Sequence, residues 1–439
     1  MTEAVATVHR RSSDSTARPS DGLMNVCLQS VGCRLNTSEI QAMSRRFAAA
    51  GHCIVSDPTR ANVCIVNTCA VTSAAERKSR RRIRALARAN PRARIAVTGC
   101  YATLSPQRIA GLPGVSWVIS NTEKDRLVEI VASALLPRLR EALRWGPART
   151  RAFIKVQDGC DNHCTYCIVR LLRGPARSRP IDAIVAEVRA LVAAGCREAV
   201  LTGVNLGAYG RDLGHSSSLR VLVEALLART DLPRLRLSSL EPWDLDEHFF
   251  DLWEDARLCR QLHLPLQSGC DETLHRMGRR ITTARFARLV KAARAAVPDL
   301  AVTTDVIVGF PGEDEDAFRT SYDFVVAMGF ARLHVFPYSP RPNTAALHLP
   351  AQVPGSVRRA RARVMRMLGA RQAFQFSRRF VGRKMMILWE HCRRDGLWMG
   401  LTDNYLRVGT HAPGNLHNRL IETRLVAARN GYLVGELIG

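Results

Sequence analysis

Three closely spaced cysteines constrain this chain more than any other feature of its sequence. Cys160, Cys164 and Cys167 form a C-x3-C-x2-C pattern. Three thiolates this close together can hold three irons of a cubane [4Fe–4S] cluster. No fourth cysteine lies nearby, so one iron of such a cluster would keep an open coordination position.

This spacing resembles the signature of the radical-SAM superfamily. The resemblance implies that the open iron chelates S-adenosylmethionine (SAM), and that an electron splits SAM into methionine and a 5′-deoxyadenosyl radical. It makes Cys160, Cys164 and Cys167 catalytic residues as well as iron ligands. The alternatives are unliganded core thiols or a structural zinc site with His163 as fourth ligand. However, His163 directly neighbours Cys164, and structural zinc cysteines usually come as two C-x2–4-C pairs.

Size and charge favour a multidomain protein with a polyanionic partner. The chain has 439 residues, 46% of them hydrophobic, which predicts two to four domains with sizeable cores. The net charge of +25 favours nucleic acid over membrane as a partner. General arginine enrichment from a high-GC genome is the alternative explanation of this charge.

The composition also excludes some classes of protein. Thirteen cysteines in a chain this long do not indicate a secreted disulfide scaffold. Residues 1–24 are polar, without the apolar core of a signal peptide, and no run of about 18 apolar residues indicates a membrane span. We therefore expect a cytoplasmic protein with a disordered tail at residues 1–24.

Hydrophobic patterning predicts an α/β protein of three domains. Residues 25–135 form an open parallel α/β sheet domain, and residues 136–150 form a linker. Residues 151–379 contain six strand–helix units, which predict a partial TIM-like barrel with its site at the carboxyl ends of the strands. Residues 380–439 are rich in strands and predict a small antiparallel barrel.

The predicted strands and helices alternate in both larger domains. In the first domain the strands are Val26–Ser30, Val63–Asn67, Arg94–Thr98 and Ser116–Ser120, and the helices are Thr37–Ala50, Ser73–Asn90 and Glu123–Leu135. In the second the strands are Phe153–Gln157, Glu198–Thr202, Arg234–Ser239, Gln261–Leu264, Ala301–Val308 and Arg332–Phe336. The cysteine triplet follows the first of these strands.

A second set of cysteines follows strands of the first domain. Cys33, Cys69 and Cys100 each lie beyond the end of a predicted strand. Because the carboxyl ends of parallel strands converge on one crevice, the three thiols can meet and hold a second [4Fe–4S] cluster. The alternative is packing, since cysteine is among the most buried residues. Packing is also the expected role of the other seven cysteines.

Two cysteine triplets in this order resemble the methylthiotransferases, a radical-SAM family with an N-terminal cluster domain, a central barrel and a C-terminal RNA-binding TRAM domain. The resemblance covers about residues 25–438. Its motifs are Gly32-Cys33, Asn67-Thr-Cys69, Gly99-Cys100, the triplet at Cys160, the segments 201–210 and 265–269, and 305–313.

Within the family, residues 32–36, 68–72 and 77–80 are most similar to the branch acting on N6-threonylcarbamoyladenosine in tRNA. This resemblance implies addition of a methylthio group to C2 of that adenosine at position 37, next to the anticodon. Two alternatives within the family are N6-isopentenyladenosine in tRNA and an aspartate of a ribosomal protein. A non-catalytic Fe–S protein that binds RNA and senses oxidation is an alternative of another class.

The resemblance also implies contacts for SAM and RNA. The SAM-binding candidates are Tyr166, Gly203, Asn205, Glu241 and Gln267, with an ordinary loop as the alternative for Gly203 and Asn205 and a surface carboxylate as the alternative for Glu241. The RNA-binding candidates Arg77, Lys78 and Arg80 open a basic helix that could bind phosphates, with a solvated helix face as the alternative. The candidates Arg173, Arg177 and Arg179 follow the cysteine loop, where arginine suits bidentate binding of phosphate or of the threonylcarbamoyl carboxylate. In the C-terminal barrel, Trp398 and Tyr405 could stack on bases, although core packing is the alternative.

The implied reaction requires further partners. One SAM methylates a sulfur held at the cluster of Cys33, Cys69 and Cys100, and a second SAM is cleaved at the other cluster. Besides tRNA, we therefore expect a flavodoxin- or ferredoxin-like electron donor and a sulfur donor. We expect a monomer with no membrane partner.

Overall fold

The computed structural model describes residues 24–135, 150–214 and 217–438. The predicted tail and linker fall almost entirely outside them. The chain divides into two compact units. Unit 1 comprises Met1–Pro147 and Ile168–Pro175, and unit 2 comprises Ala148–Cys167 and Ala176–Gly439. The expectation of an α/β protein is confirmed, and none of the helices in these described ranges is long and apolar enough to cross a membrane.

Unit 1 is built on a five-stranded parallel sheet with strand order β2-β1-β3-β4-β5. Its strands are β1 (Asn25–Ser30), β2 (Cys53–Ile54), β3 (Val63–Thr68), β4 (Arg94–Gly99) and β5 (Val115–Ile119). All six residues of β3 are buried, as expected for a central parallel strand covered on both faces. The four predicted strands are confirmed, whereas the two-residue edge strand β2 was too short to predict.

Helices cover both faces of this sheet. They are α1 (Arg34–Ala49), α2 (Ser73–Ala89), α3 (Cys100–Leu104), α4 (Pro106–Ala110), α5 (Leu127–Leu135) and α6 (Val169–Arg173). One apolar cluster includes Phe47 of α1 and Leu127 of α5, and the other includes Ile83 of α2 and Ile109 of α4. Thr72 caps α2, because its hydroxyl accepts a hydrogen bond from the backbone NH of Ala75.

The larger part of unit 2 is the predicted six-stranded partial barrel. Its parallel strands are β6 (Arg151–Lys155), β9 (Glu198–Thr202), β10 (Arg234–Leu237), β11 (Gln261–His263), β12 (Ala301–Val308) and β13 (Arg332–Pro337). They form two three-stranded sheets, which an isolated parallel bridge between Ser239 and His263 connects. A short antiparallel pair, β7 (Gln157–Asp158) and β8 (Arg177–Ser178), follows β6.

Among the described residues of unit 2, six helices accompany these strands, in the strand–helix alternation that the sequence predicts. They are α7 (Ile181–Ala193), α8 (Leu219–Arg229), α9 (Asp271–Arg276), α10 (Thr283–Ala296), α11 (Glu315–Met328) and α12 (Gly355–Arg378). Shorter 3-10 segments occur at Leu206–Ala208, Pro242–Asp244, Glu247–Glu254 and Ala345–Leu347 in unit 2, and at Pro58–Arg60 and Lys124–Arg126 in unit 1.

A closed five-stranded barrel completes unit 2. It consists of β14 (Lys384–Cys392), β15 (Trp398–Leu401), β16 (Arg407–Thr410), β17 (Leu420–Arg429) and β18 (Tyr432–Leu437). The prediction of an antiparallel barrel needs one correction, because β16 and β18 pair in parallel. Closure leaves no free sheet edge, and the fully buried Trp389 fills the interior.

A buried ion-pair network joins the two barrels of unit 2. Glu198, the first residue of β9, accepts a hydrogen bond from Nε of Arg236 at 2.9 Å and lies 3.1 Å from Nε of Arg234. Arg236 also donates to the carbonyl oxygen of Asp403, in the loop after β15. The closed barrel therefore packs at the amino ends of β9 and β10, which leaves their carboxyl ends for the site.

The same network positions Tyr405, one of the two predicted stacking aromatics. Its ring lies 4.7 Å from the guanidinium carbon of Arg236, and Trp398 packs partly buried against the core of the closed barrel. Both aromatics thus have packing partners inside unit 2.

We predict that Glu198→Gln destabilises unit 2 at neutral pH and that the difference becomes smaller as the pH falls below 4.5. Burial alone would raise the pKa of Glu198, but the guanidiniums of Arg236 and Arg234 lower it to about 2 from 4.5. The stabilisation, on the order of 3 kcal/mol, is therefore complete above pH 4.5 and is lost as the pH falls towards 2. Urea unfolding of wild type and variant from pH 7 to pH 3 checks this, and a pH-independent difference would contradict it.

Candidate active site

The first three cysteines lie beyond the carboxyl ends of three adjacent strands of unit 1. Cys33 follows β1, and Cys69 and Cys100 come directly after β3 and β4. In the sheet, β3 lies between β1 and β4. Strand order changes direction between β1 and β3, and such a switch point is where open α/β sheets bind ligands.

The geometry brings these three thiols into one site. A Cβ atom placed on Gly32, whose φ is +115°, would lie 2.5 Å from Cβ and 3.0 Å from Sγ of Cys69, so only glycine fits before Cys33. Burial, together with the negative charges of Cys33 and Cys100, raises the pKa of Cys69 to about 12. Binding of iron must therefore displace the thiol protons.

Polar side chains hold the cysteine loops in place. Asn36 donates to the carbonyl oxygens of Val31 and Thr68, and so ties the ends of β1 and β3 together. The buried hydroxyl of Ser79 accepts from the NH of Cys69 and donates to its carbonyl oxygen. From the sequence, Ser79 was recognised only as part of the segment 77–80, because its contact with Cys69 depends on the packing of α2.

A buried cluster of charges adjoins these cysteines. Glu39 is ion-paired with Lys124 at 2.8 Å and with Arg173 at 3.0 Å, and all three residues are at most 6% exposed. Arg173 also donates to Oδ1 of Asn36. Burial raises the pKa of Cys33, whereas the positive charge of Arg173 opposes that rise. The Cys33 side chain is accessible to solvent, but the surrounding protein still excludes enough water to raise the pKa of its thiol. Burial also lowers the pKa of Lys124 although Glu39 opposes this, so Arg173 is the permanent positive charge beside the thiols.

The predicted RNA-binding residues of unit 1 fall into two groups. Arg77 and Lys78, on α2, are exposed. Arg80 donates to the hydroxyl of Tyr101, and Arg173 is buried in the ion pair with Glu39. Contact of Arg173 with RNA or with a substrate carboxylate would require it to leave this buried position.

In unit 2, the second cysteine triplet lies in the loop after β7. Cys160, Cys164 and Cys167 are partly buried free thiols. The backbone NH of Asn162 donates to Sγ of Cys160 at 3.4 Å. The loop is held by Thr165, whose NH donates to the carbonyl oxygen of Met277.

A bidentate ion pair connects this loop to the barrel. Arg279 donates from Nη1 and Nη2 to the two oxygens of Glu241, at 3.1 and 2.7 Å. Its Nη1 also lies 3.9 Å from Sγ of Cys164, and the guanidinium stacks on Trp243 at 4.3 Å. Glu241, predicted to bind SAM, is thus engaged with Arg279, although a carboxylate keeps further lone pairs for a ligand. The sequence did not predict a role for Arg279.

The loop after β9 contains two further SAM-binding candidates. A Cβ atom on Gly203 would lie 2.9 Å from Oε1 of Gln157, so this glycine makes room for Gln157 in the structure. That same oxygen accepts from the NH groups of Val204 and Asn205. Oδ1 of Asn205 is buried and, among the described residues, has no hydrogen-bond partner, which suits a residue that awaits a ligand.

The remaining candidates lie at the same end of the barrel or beside it. Gln267 adopts a left-handed φ of +72° and is buried, an unusual conformation that surrounding structure must impose. The ring of Tyr166 meets that of Phe310 edge-on at 6.3 Å. Arg179 is ion-paired with Glu187 at 2.8 Å, and Arg177 is exposed on β8.

Both triplets have the donor set of a cubane cluster. In residues 24–135, 150–214 and 217–438, no three Cys, His, Asp or Glu side chains form a group able to hold a single metal ion. A cubane is less restrictive, because each thiolate binds a different iron. NH groups directed at Sγ of Cys160 and Cys100 are the outer contacts that tune iron–sulfur clusters. Cysteines 33, 69 and 100, and 160, 164 and 167, therefore fit one cluster each.

Comparison with known proteins identifies the family. Residues 154–325 match the Radical SAM superfamily, and residues 25–120 match the Uncharacterized protein family UPF0004. The Threonylcarbamoyladenosine tRNA methylthiotransferase MtaB of Bacillus subtilis is 32% identical, over 95% of this chain and 97% of that protein. The protein of that name from Thermotoga maritima is 35% identical, over 94% and 99%.

The chain belongs to the radical-SAM methylthiotransferase family. It is therefore a transferase, and two [4Fe–4S] clusters and SAM are its cofactors. A third relative, the tRNA-2-methylthio-N(6)-dimethylallyladenosine synthase of Pelobacter propionicus, is 31% identical over 94% of this chain and 98% of that protein.

A solved structure supports the fold. The radical S-adenosylmethionine methyltransferase TsrM from Kitasatospora setae superposes with a TM-score of 0.53 at 16% identity, over 75% of this chain and 77% of that one. At this identity the similarity concerns the fold alone.

We predict that Arg173→Ala impairs the cysteine site of unit 1. Its removal breaks a buried ion pair, which typically costs about 3–5 kcal/mol, and deletes positive charge beside the thiolates. Iron content after anaerobic reconstitution should fall to about half, with a lower thermal unfolding midpoint. Arg108→Ala, at an exposed position of α4, is the matched control, and a fully loaded, equally stable Arg173 variant would contradict the prediction.

Proposed function

We propose that this enzyme adds a methylthio group to C2 of N6-threonylcarbamoyladenosine at position 37 of tRNA. The main support is that Cys33, Cys69 and Cys100 converge at the ends of β1, β3 and β4. These three cysteines are separate in sequence from the radical-SAM triplet. A methylthio transfer needs such a second site to hold sulfur. Relatives named for threonylcarbamoyladenosine, at 32–35% identity over nearly the whole chain, support this substrate.

The two cysteine sites have separate roles in the proposal. Cys160, Cys164 and Cys167 hold one cluster, and Cys33, Cys69 and Cys100 hold the other. When bound, the first cluster would supply the electron for reductive cleavage of SAM. The second cluster, together with SAM, would supply the sulfur and the methyl group that are delivered to adenine C2. The chain's own contribution is to hold the thiolates and to orient the substrates.

Residues at the carboxyl ends of the barrel strands would bind SAM. We propose Asn205 as a direct contact, supported by its buried and unpartnered Oδ1. Glu241 would accept from the ribose hydroxyls while Arg279 fixes its orientation. Gly203, Gln267 and Tyr166 would line the same pocket.

Basic residues would bind the tRNA. Arg77, Lys78 and Arg177 are exposed and suited to phosphate contacts, whereas Arg80, Arg173 and Arg179 already have acidic or aromatic partners. A carboxylate-bearing nucleoside would require an arginine near adenine N6, and Arg177 is the exposed candidate in the segment after the cysteine loop.

The remaining expectations complete the proposal. The enzyme would act in the cytoplasm as a monomer with three domains, at residues 25–135, 151–379 and 380–439. It would take electrons from a flavodoxin- or ferredoxin-like protein and sulfur from a separate donor. The second candidate substrate is N6-isopentenyladenosine, since the Pelobacter propionicus relative is named for that class of nucleoside.

We predict that single cysteine variants separate the two activities. Cys160→Ala should abolish SAM cleavage, because it removes a ligand of the cluster that opens SAM. Cys69→Ala should retain some cleavage and lose sulfur insertion. Assays of 5′-deoxyadenosine and of methylthiolated nucleoside measure the two activities, with Cys392→Ala, an exposed cysteine of β14, as control. Equal loss of both activities in Cys69→Ala would contradict the division of roles.

Mass spectrometry of tRNA nucleosides from cells with and without the gene tests the substrate. We expect loss of 2-methylthio-N6-threonylcarbamoyladenosine and accumulation of its unmethylthiolated precursor. Loss of the methylthio-isopentenyladenosine product, with the threonylcarbamoyl product unchanged, would transfer the proposal to the second substrate.

A further inference from the structure

Helix α12 presents unpaired arginines to solvent. Its 24 residues include seven arginines and no aspartate or glutamate. Within the described part of the chain, four of these arginines are exposed and make no ion pair or side-chain hydrogen bond: Arg359, Arg363, Arg371 and Arg378. Arg361, by contrast, is buried and paired with Glu313.

Apolar side chains interrupt this basic surface. Residues 363, 367, 371, 374 and 378 are spaced by four, four, three and four, so they share one side of the helix. Two of them are apolar and exposed, Met367 at 68% and Phe374 at 43%. With a rise of about 1.5 Å per residue, the surface from Arg359 to Arg378 extends over about 28 Å.

The fold does not require this surface. The opposite side of α12 buries Met365, Leu368 and Phe376 against unit 2 and so fixes the helix. On the exposed side, arginines four residues apart, such as Arg359 and Arg363, repel each other. Arginine is a good helix former, but glutamate or glutamine would serve equally, and glutamate would remove the repulsion. Helix formation therefore does not explain the choice of residues.

We propose that the exposed surface of α12 binds the phosphate backbone of the tRNA substrate. The inference rests on the proposed function, which supplies a polyanion as substrate, and its specific support is charge complementarity. Arginines contact phosphates with bidentate geometry, and Met367 and Phe374 would pack against sugars or exposed bases. A second copy of the chain is a poorer occupant, because two such surfaces would bring like charges together.

Salt-dependent binding tests the proposal. The full-length reconstituted enzyme with Arg363→Gln and Arg371→Gln is compared with wild type, using purified unmethylthiolated tRNA over a salt series. Each lost phosphate contact lowers the slope of log K against log salt by about 0.7–0.9, so the double variant should lose about 1.4–1.8. The control is a double variant of α10 with the substitutions Arg285→Gln and Arg288→Gln, both at exposed positions. It removes the same charge and should leave the slope close to that of wild type.

The outcomes separate this inference from the proposed function. Equal slopes for the α12 variant and the α10 control would overturn the inference, while methylthiolation of the tRNA would leave the proposed function intact. Self-association of wild type that Met367→Ser abolishes, with tRNA binding unaffected, would assign the surface to a second copy. If wild type neither binds nor methylthiolates tRNA, both proposals fail.

Discussion

Parallel pairing of β1, β3 and β4 is the constraint on which the chemistry of unit 1 depends. It places the residues after all three strands at one edge of the sheet, and so brings together cysteines that are 36 and 31 positions apart. Glycines at positions 32 and 99, both with positive φ, let the chain turn tightly before Cys33 and Cys100. Any change in strand order or register would separate the three thiols.

Unit 2 meets a different constraint, because its cysteine triplet is local in sequence. The sequence spacing already brings Cys160, Cys164 and Cys167 together, and the barrel has only to hold the loop and offer a ligand pocket. Arg279 links Cys164 to Glu241, so the loop and a SAM-binding candidate are parts of one hydrogen-bonded network. At the opposite, amino ends of the strands, Glu198 and its arginines join the closed barrel to the same framework.

The sequence predicted what depends on local pattern. Alternating apolar runs identified β1, β3, β4 and the six barrel strands, and cysteine spacing identified the candidate ligands. It did not predict that Arg173, six residues after Cys167, belongs to unit 1. That placement depends on Glu39 and Lys124, which are distant in sequence and whose buried pairing only the assembled sheet creates. Gly203 was predicted to contact SAM, whereas in the structure the side chain of Gln157 occupies the space beside this glycine.

We infer that the ends of β1, β3 and β4 form a cluster site in their own right. Mössbauer spectroscopy and iron analysis of a reconstituted variant with alanine at positions 160, 164 and 167 test it most directly. We expect one [4Fe–4S] cluster, with Cys33, Cys69 and Cys100 as its only cysteine ligands. A folded variant that binds no cluster would show that these three cysteines do not form a cluster site by themselves, and would contradict the account.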